Sequence, residues 1–294
     1  MAWLIGLAGS GLIAGLAYWR RSLSGSGAAA AIIVGTLLYG LGSAAWFGTL
    51  IAFFVTSTLL SKWKRKAKAA AEGGYEKSGR RDAGQVLANG GIAALLCAAY
   101  ALAGNAEWLW WAFIGVMATV NADTWATEIG GFSRTPPISI RTGKRVASGV
   151  SGGVTGLGLA ATAAGAAFIG AAAWALAGWS VSVGGTVPGP AAGLAGAAGA
   201  LAEAAPFTLA ALAKLALVAL IAGSAGALAD SWLGATWQSM RRCTVCGREV
   251  ERRQHCGRPA EPLRGLPWMN NDAVNLISSV VGGGVGVLLG VAIG

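Results

Sequence analysis

Apolar stretches long enough to cross about 30 Å of hydrocarbon recur along nearly the whole of this sequence, and that recurrence leaves few folds open. Lipid cannot satisfy backbone polar groups, so such stretches are helices unless they close into a barrel. Strand-like alternation of apolar and polar residues is absent, which argues against the barrel. Composition points the same way: 55% of the 294 residues are hydrophobic, 12% are charged and the mean hydropathy is +0.60, outside the range of soluble domains. The 47 glycines suit helices whose backbones approach closely, as they must where lipid and side chains are equally apolar. We therefore expect an all-α polytopic transmembrane bundle, one integral membrane domain over residues 1–294, with about 7–8 spans.

The first span is residues 1–19. A cleaved signal peptide is the alternative, but no charged segment precedes the apolar run and Arg20 and Arg21 follow it. Residues 28–60 are broken by Tyr39-Gly40-Leu41-Gly42-Ser43 and read as a hairpin of two short helices. Further spans are expected at 85–103, 108–121, 149–176, 207–232 and 273–293. Residues 178–205, rich in Gly, Ala and Pro, could be an outer loop, a re-entrant piece or a short helix.

Charge orients these spans. Of the 22 Lys and Arg residues, 21 fall in four loops, at 20–21, 62–81, 134–145 and 241–264, and only Lys214 stands elsewhere. Hairpins between the loops bring all four to one side, which the positive-inside rule makes cytoplasmic. Both termini then face outward, in a multi-pass protein of the cell membrane. Basic loops can serve topology and anionic lipids alone, but these are flanked by acidic residues in unusual places.

Only twelve acidic residues are present, and Asp123, Glu128, Asp230 and Asp272 lie inside or at the ends of apolar spans. An uncompensated carboxylate there costs several kcal/mol, so each needs a partner, a metal or water. Any one of them could be a helix cap, but four at the cytoplasmic ends point to a site. The segment Ala122-Asp123-Thr124-Trp125 also recurs weakly as Ala229-Asp230-Ser231-Trp232, with a hydroxyl after each carboxylate. On a helix Asp123 shares a face with Thr127 and Gly130, while Glu128 is turned about 140° away. Asp230 stands in a stripe of Gly223, Gly226 and Gly234 that a helix or a phosphate could approach, and Asp272 aligns with Asn275 and Ser279. Three Asp-bearing helix ends at a basic mouth suit magnesium, which takes a few carboxylates and completes its octahedron with water and substrate phosphate.

Two basic segments complete the pattern. Residues 141–156, RTGKRVASGVSGGVTG, set Lys144 and Arg145 before Ser148, Ser151 and Gly152 at the start of a span, where backbone N–H groups favour an anion. The stretch lacks the GxxxxGK[ST] order of a Walker A loop, and helix packing is the competing explanation of its glycines. Residues 80–90 bring Arg81, Gln85 and Asn89 to the start of another span, although capping accounts for part of that segment.

Cys97 stands alone in a span and reads as a packing residue. In the loop 239–268, by contrast, Cys243, Cys246, His255 and Cys256 are the ligand types of a closed, structural Cys₃His zinc site, with reduced thiols in a basic loop as the alternative.

Taken together, NADTWATEIG (121–130), RDAGQVLANG (81–90), TGKRVASGVSGG (142–153), ADSWLGATWQ (229–238) and NNDAVN (270–275) resemble a widespread family of integral membrane proteins whose plant members act as phytyl-phosphate kinases of the tocopherol pathway. The order of motifs is also distantly similar to that of the CTP-dependent dolichol kinases and phosphatidate cytidylyltransferases. The resemblance implies a kinase that adds a second phosphate to an isoprenoid monophosphate, with a nucleoside triphosphate, CTP by analogy, and magnesium. It carries Asp123, Asp230, Glu128 and Asp272 over as catalytic or metal-holding. Asn121, Thr124, Ser231, Gln238, Asn271 and Asn275 join the basic segments as phosphate-contacting residues. The expected partners are the isoprenoid phosphate, the nucleotide and the bilayer, without nucleic acid, and a homodimer stays open. The rival is a transporter or flippase whose carboxylates couple to an ion; a membrane scaffold with a zinc loop would leave the Asp pattern without a purpose.

Overall fold

The structure, a computed structural model, describes residues 1–63, 79–182 and 208–293. Among these residues eight helices follow one another: α1 (Ala2–Trp19), α2 (Gly25–Leu37), α3 (Ala44–Lys62), α4 (Ala83–Leu102), α5 (Glu107–Gly130), α6 (Gly156–Ser182), α7 (Leu209–Thr236) and α8 (Asn271–Ile293). Seven of them are long and apolar enough to cross a membrane. The eighth, α5, carries three carboxylates and is the one the others surround. Every residue from Leu109 to Ala122 is buried, and α3, α4, α6, α7 and α8 all pack on it. The family of all-helical membrane bundles expected from composition is thus the fold observed.

Local chemistry explains where these helices start and stop. Ser24 caps α2 by accepting from the Gly27 N–H at 3.1 Å, which moves the start of that span ahead of residue 28. The glycine-bearing break after it is a single π-helical turn, Leu38–Gly42, and Ser43 then caps α3. The hairpin is therefore made of two full-length spans, 18 and 19 residues long, rather than short ones. Nothing between Asn121 and Gly130 breaks a helix, so α5 runs nine residues past the expected end and carries Asp123 and Glu128 within its last turns. Conversely, residues 149–155 do not join α6. Gly149 and Gly152 have φ of +85° and +83°, and α6 starts at Gly156 after Thr155 accepts from the Gly158 N–H. Of the segment 178–205, residues 178–182 close α6 and 183–205 lie outside the described residues, as do 64–78 of the second basic loop.

Glycine sets the helix crossings. A Cβ on Gly115 of α5 would come within 2.2 Å of the Gly282 carbonyl oxygen of α8. A Cβ on Gly226 of α7 would come within 2.1 Å of Thr119 Oγ1 on α5. Backbones this close gain dispersion and short polar contacts, the terms that hold helices together in lipid. At the opposite end of α5 from Asp123 and Glu128, Trp46, Trp110 and Phe113 form a buried aromatic knot, with the Trp46 and Phe113 centroids 4.3 Å apart.

Two small antiparallel sheets stand on the face where α5 and α7 end. β1 (Ile138–Ser139) pairs with β2 (Gly153–Val154) between α5 and α6. Between α7 and α8, β3 (Met240–Cys243), β4 (Glu249–Val250), β5 (Gln254–His255) and β6 (Arg258–Arg264) make a sheet of order β4-β3-β6-β5. Neither apolar alternation nor length marks these strands in the sequence, since the loop is dominated by Arg and Cys. Its stem is closed by backbone bonds from Ser239 N to Met269 O at 2.8 Å and from Leu266 N to Trp237 O at 2.9 Å.

Candidate functional site

A cleft opens on that same face between the ends of α3, α4, α5, α6, α7 and α8, with an empty volume of about 2390 Å³ counted out to its mouth. Its walls contain all four carboxylates singled out in the sequence, Asp123, Glu128, Asp230 and Asp272. Asp123 and Asp230 come from different helices, and Asp230 lies within electrostatic reach of both Asp123 and Glu251. Ser278 of α8 donates to Asp230 Oδ2 at 3.1 Å. Among the described residues neither Asp123 nor Asp230 is paired with a Lys or Arg. Two adjacent acidic groups without a cationic partner are the setting in which a divalent ion replaces a missing counter-charge, so the donor set fits magnesium.

The helical period turns Glu128 away from Asp123, and the structure gives it other company. Ser61 of α3 donates to its Oε1, and it acts electrostatically on Arg81. Arg81 is the best-anchored cation of the cleft. Its backbone is pinned to the α1–α2 connection by Arg81 N to Ser22 O and Ser24 N to Arg81 O, each 3.0 Å. Gly27 permits this approach, since a Cβ there would lie 2.1 Å from the Arg81 carbonyl oxygen. The Arg81 guanidinium donates to Ser57 Oγ at 3.1 Å and lies 5.9 Å from the ring centroids of Phe53 and Phe54. Burial shifts its pKa downward and the Glu128 carboxylate opposes that shift more weakly. Asp82 and Gln85 form the capping box of α4, and Gln85 and Asn89 follow Arg81 into the cleft wall.

Ser148, Ser151 and Gly152 line the same cleft as Arg81. The loop is held against the end of α7: a Cβ on Gly152 would fall 2.4 Å from Ala235 Cβ, and one on Gly234 would fall 2.4 Å from Ser151 Oγ. Positive φ at Gly149 and Gly152 turns the chain there as a backbone N–H nest requires. Lys144 and Arg145 sit in the β1–β2 hairpin, exposed and outside the cleft wall, so the cradle is glycine and serine without its two expected cations.

The remaining expected residues divide. Thr124, Ser231 and Asn271 line the cleft, but the Thr124 hydroxyl already donates to Val120 O at 2.9 Å. Asn121 is 0% exposed and locks three helices, donating to Gly165 O at 2.7 Å and accepting from Thr56. Asn275 stands behind the wall and donates to Asn89 Oδ1 at 3.4 Å. Gln238, 2% exposed, accepts from Ser151 and donates to Glu251 at 3.0 Å, so it joins the glycine loop to the small sheet. The cleft also contains Ser61 and Glu251, which the sequence reading left out. Glu251 could have been suspected as one of twelve scarce carboxylates; Ser61 had no signal.

Cys243, Cys246, His255 and Cys256 converge on the small sheet, each offering a ligand atom within 4.8 Å of the others. Gly247 and Gly257, with φ of +70° and +72°, let the chain turn back immediately after Cys246 and Cys256. Hydrogen bonding, first from the Cys246 N–H, lowers the Cys243 thiol to about 6, favouring its thiolate, whereas desolvation first and the neighbouring thiols second raise Cys256 to about 11. Three thiols and one imidazole at this separation suit a closed tetrahedral zinc ion. Arg264 of β6 ties the sheet to the bundle, donating to the Gly234 carbonyl oxygen of α7 at 2.8 Å and facing Glu249 at 3.9 Å.

Comparison with known proteins places this architecture. The family model described as "Integral membrane protein DUF92" matches residues 8–283. The chain belongs to that family. Protein PGR of Arabidopsis thaliana is 31% identical over 282 residues, covering 92% of this chain and 89% of PGR. An uncharacterized membrane protein of Methanocaldococcus jannaschii is 28% identical over 272 residues, covering 92% of this chain and 86% of its own length. No solved structure matches. The family membership agrees with the resemblance drawn from the motifs, and all five motifs fall within the matched residues.

Proposed function

We propose that this member of the DUF92 family is a membrane phosphotransferase that converts a phytyl- or prenyl-type monophosphate to the diphosphate, with a nucleoside triphosphate, CTP first among them, as donor. The observation that carries this reading is the meeting of Asp123 and Asp230, from two helices, in one polar cleft that also holds Arg81 and a glycine-serine loop. Asp123 and Asp230, with Asp272 nearby, would hold magnesium, which when bound supplies charge neutralisation for the donor phosphates. The backbone N–H groups around Ser148 to Gly152 orient the nucleotide phosphates, and Arg81 with Gln85 and Asn89 receives the acceptor phosphate. An oxygen of that acceptor phosphate attacks the terminal phosphorus of the donor. A new P–O bond forms as the bond to the bridging oxygen breaks, and the nucleoside diphosphate leaves. The attacking oxygen is already anionic, so no nucleophilic side chain or general base is needed; positioning and charge stabilisation suffice.

The cleft then lies on the cytoplasmic side, where nucleotide is available and where the positive-inside rule puts its basic rim. The Cys₃His cluster would hold zinc structurally, its four protein ligands leaving no position open for substrate. Detergent-purified protein incubated with prenyl monophosphates and each nucleoside triphosphate tests the reading. Magnesium-dependent diphosphate formation is expected; no turnover with any pair of substrates overturns it.

A further inference from the structure

A second, narrower groove, with about 610 Å³ of empty space counted out past its open side, borders the cleft and lies in the apolar part of the bundle between α1, α2, α3 and α4. Its walls are Ile13 and Ala14 of α1, Ala31 and Val34 of α2, a row from Phe47 to Phe54 on α3, and Val86 and Gly90 of α4. Three residues line both this groove and the polar cleft: Arg81, Gln85 and Asn89. The groove therefore begins at the group of polar side chains to which the acceptor phosphate has been assigned. Phe53 and Phe54, beneath the Arg81 guanidinium, mark the boundary where the wall changes from polar to apolar.

Resting on the reading of the cleft as an isoprenoid-phosphate site, we propose that this groove seats the head-proximal part of the isoprenoid tail, with the phosphate at Arg81. From Phe54 to Phe47 the groove descends about 10 Å along α3 at 1.5 Å per residue. Its floor is tight, because a Cβ on Gly35 would come within 2.5 Å of Ser10 Oγ and 3.1 Å of Phe47. Its side is not sealed. Ile13, Ala31, Ile51 and Phe54 are only half-buried, so the tail enters from the bilayer and its distal units stay there. Lipid and groove are equally apolar, so the groove contributes register rather than hydrophobic transfer energy: it sets how far the phosphate reaches into the cleft.

The test is photocrosslinking of an isoprenoid monophosphate carrying a diazirine on its first or second isoprene unit, with peptides identified by mass spectrometry. Labels on α1–α4 groove residues, removed by excess unlabelled prenyl monophosphate but not by phosphatidylglycerol, are expected. Labels confined to other helices, or competed equally by phosphatidylglycerol, overturn the proposal. Turnover is not required, so the two readings fail separately. Groove labelling with no nucleotide consumption sinks the kinase and keeps the groove; diphosphate formation with labelling elsewhere does the reverse. Filling the groove gives a second readout: Ala31→Phe should lower kcat/KM for the prenyl monophosphate by about a hundredfold, as for a substrate shifted by an ångström, and leave the KM for nucleotide unchanged. Unchanged kcat/KM in a folded Ala31→Phe protein also counts against it.

Discussion

Ser278 on α8 donates a hydrogen bond of 3.1 Å to Oδ2 of Asp230 on α7. The Asn275 carbonyl, 3.0 Å from the same hydroxyl, competes for its one proton, so the serine orients the carboxylate when it donates to Oδ2. Asp230 lines the cleft within electrostatic reach of Asp123. A ligating carboxylate oriented in this way binds metal better than a freely rotating one.

Asp123→Asn and Asp230→Asn should therefore each abolish nearly all phosphoryl transfer while the protein still inserts and elutes as a single species from size-exclusion chromatography. Ser278→Ala should retain activity but raise the magnesium concentration for half-maximal rate by roughly 10-fold, the size of effect seen for outer-shell partners. Wild-type magnesium dependence in Asp230→Asn would falsify the metal-holding role.

Arg81 and Lys144 are both basic residues of motif segments, but only Arg81 lines the cleft. Arg81→Ala should raise the KM for the isoprenoid phosphate by about 10-fold or more, because truncation removes a charge-assisted bond worth roughly 1.5–3 kcal/mol. Lys144→Ala should change it less than about twofold, as expected of a solvated surface charge. Steady-state kinetics with each variant decide the matter; equal losses would mean that the β1–β2 hairpin folds over the substrate.

The parts of this arrangement legible in the sequence were those written in composition and in scarcity. Apolar length gave the spans, and the position of the basic loops gathered the carboxylates on one face. The rarity of acidic residues drew attention to Asp123 and Asp230, which do share a cleft. Contacts across helices were not legible. Asn121 stands in the middle of a motif, yet it is consumed by bonds to Gly165 and Thr56, and no periodicity distinguishes a buried interlock from a ligand. The stripe of Gly223 and Gly226 allowed either a helix or a phosphate to approach; the occupants are α5, through Ala118 and Thr119, and α6, through Ala166. Hydropathy alone extends α6 back to residue 149, because Gly149 and Gly152 are compatible with a membrane helix, and only their positive φ takes them out of it. The sheet of residues 240–264 escaped notice because backbone pairing around the Cys/His cluster, rather than apolar alternation, defines its strands.

The Cys₃His sheet reaches the cleft through Gln238, which bonds Ser151 on one side and Glu251 on the other. Metal analysis should find one zinc per chain, lost in Cys246→Ser. Loss of the ion should lower thermal stability, since a structural zinc contributes folding free energy of its own. It should also weaken nucleotide binding, because the Ser/Gly loop loses its anchor. Chelated protein with an unchanged melting temperature and an unchanged nucleotide KM would show that the cluster is a set of free thiols.

The remaining prediction separates an enzyme from a transporter. Intramembrane carboxylates on repeated segments also occur where alternating access operates, and there they lie near the bilayer midplane. Here Asp123 and Asp230 sit in the last turns of α5 and α7, in a cleft open at one face whose wall also includes Arg81. The isoprenoid tail has no reason to leave the membrane, since each buried methylene favours the apolar phase by about 0.8 kcal/mol. Only the headgroup has to enter the cleft, and access from one side suffices. In sealed vesicles of known orientation, nucleotide and magnesium supplied to the side bearing the basic loops should convert the monophosphate to the diphosphate, without solute movement and without an ion gradient. The same additions to the other side should do nothing. If no nucleotide is consumed and a labelled lipid or solute crosses in a gradient-dependent way, Asp123 and Asp230 are coupling groups and the kinase reading fails.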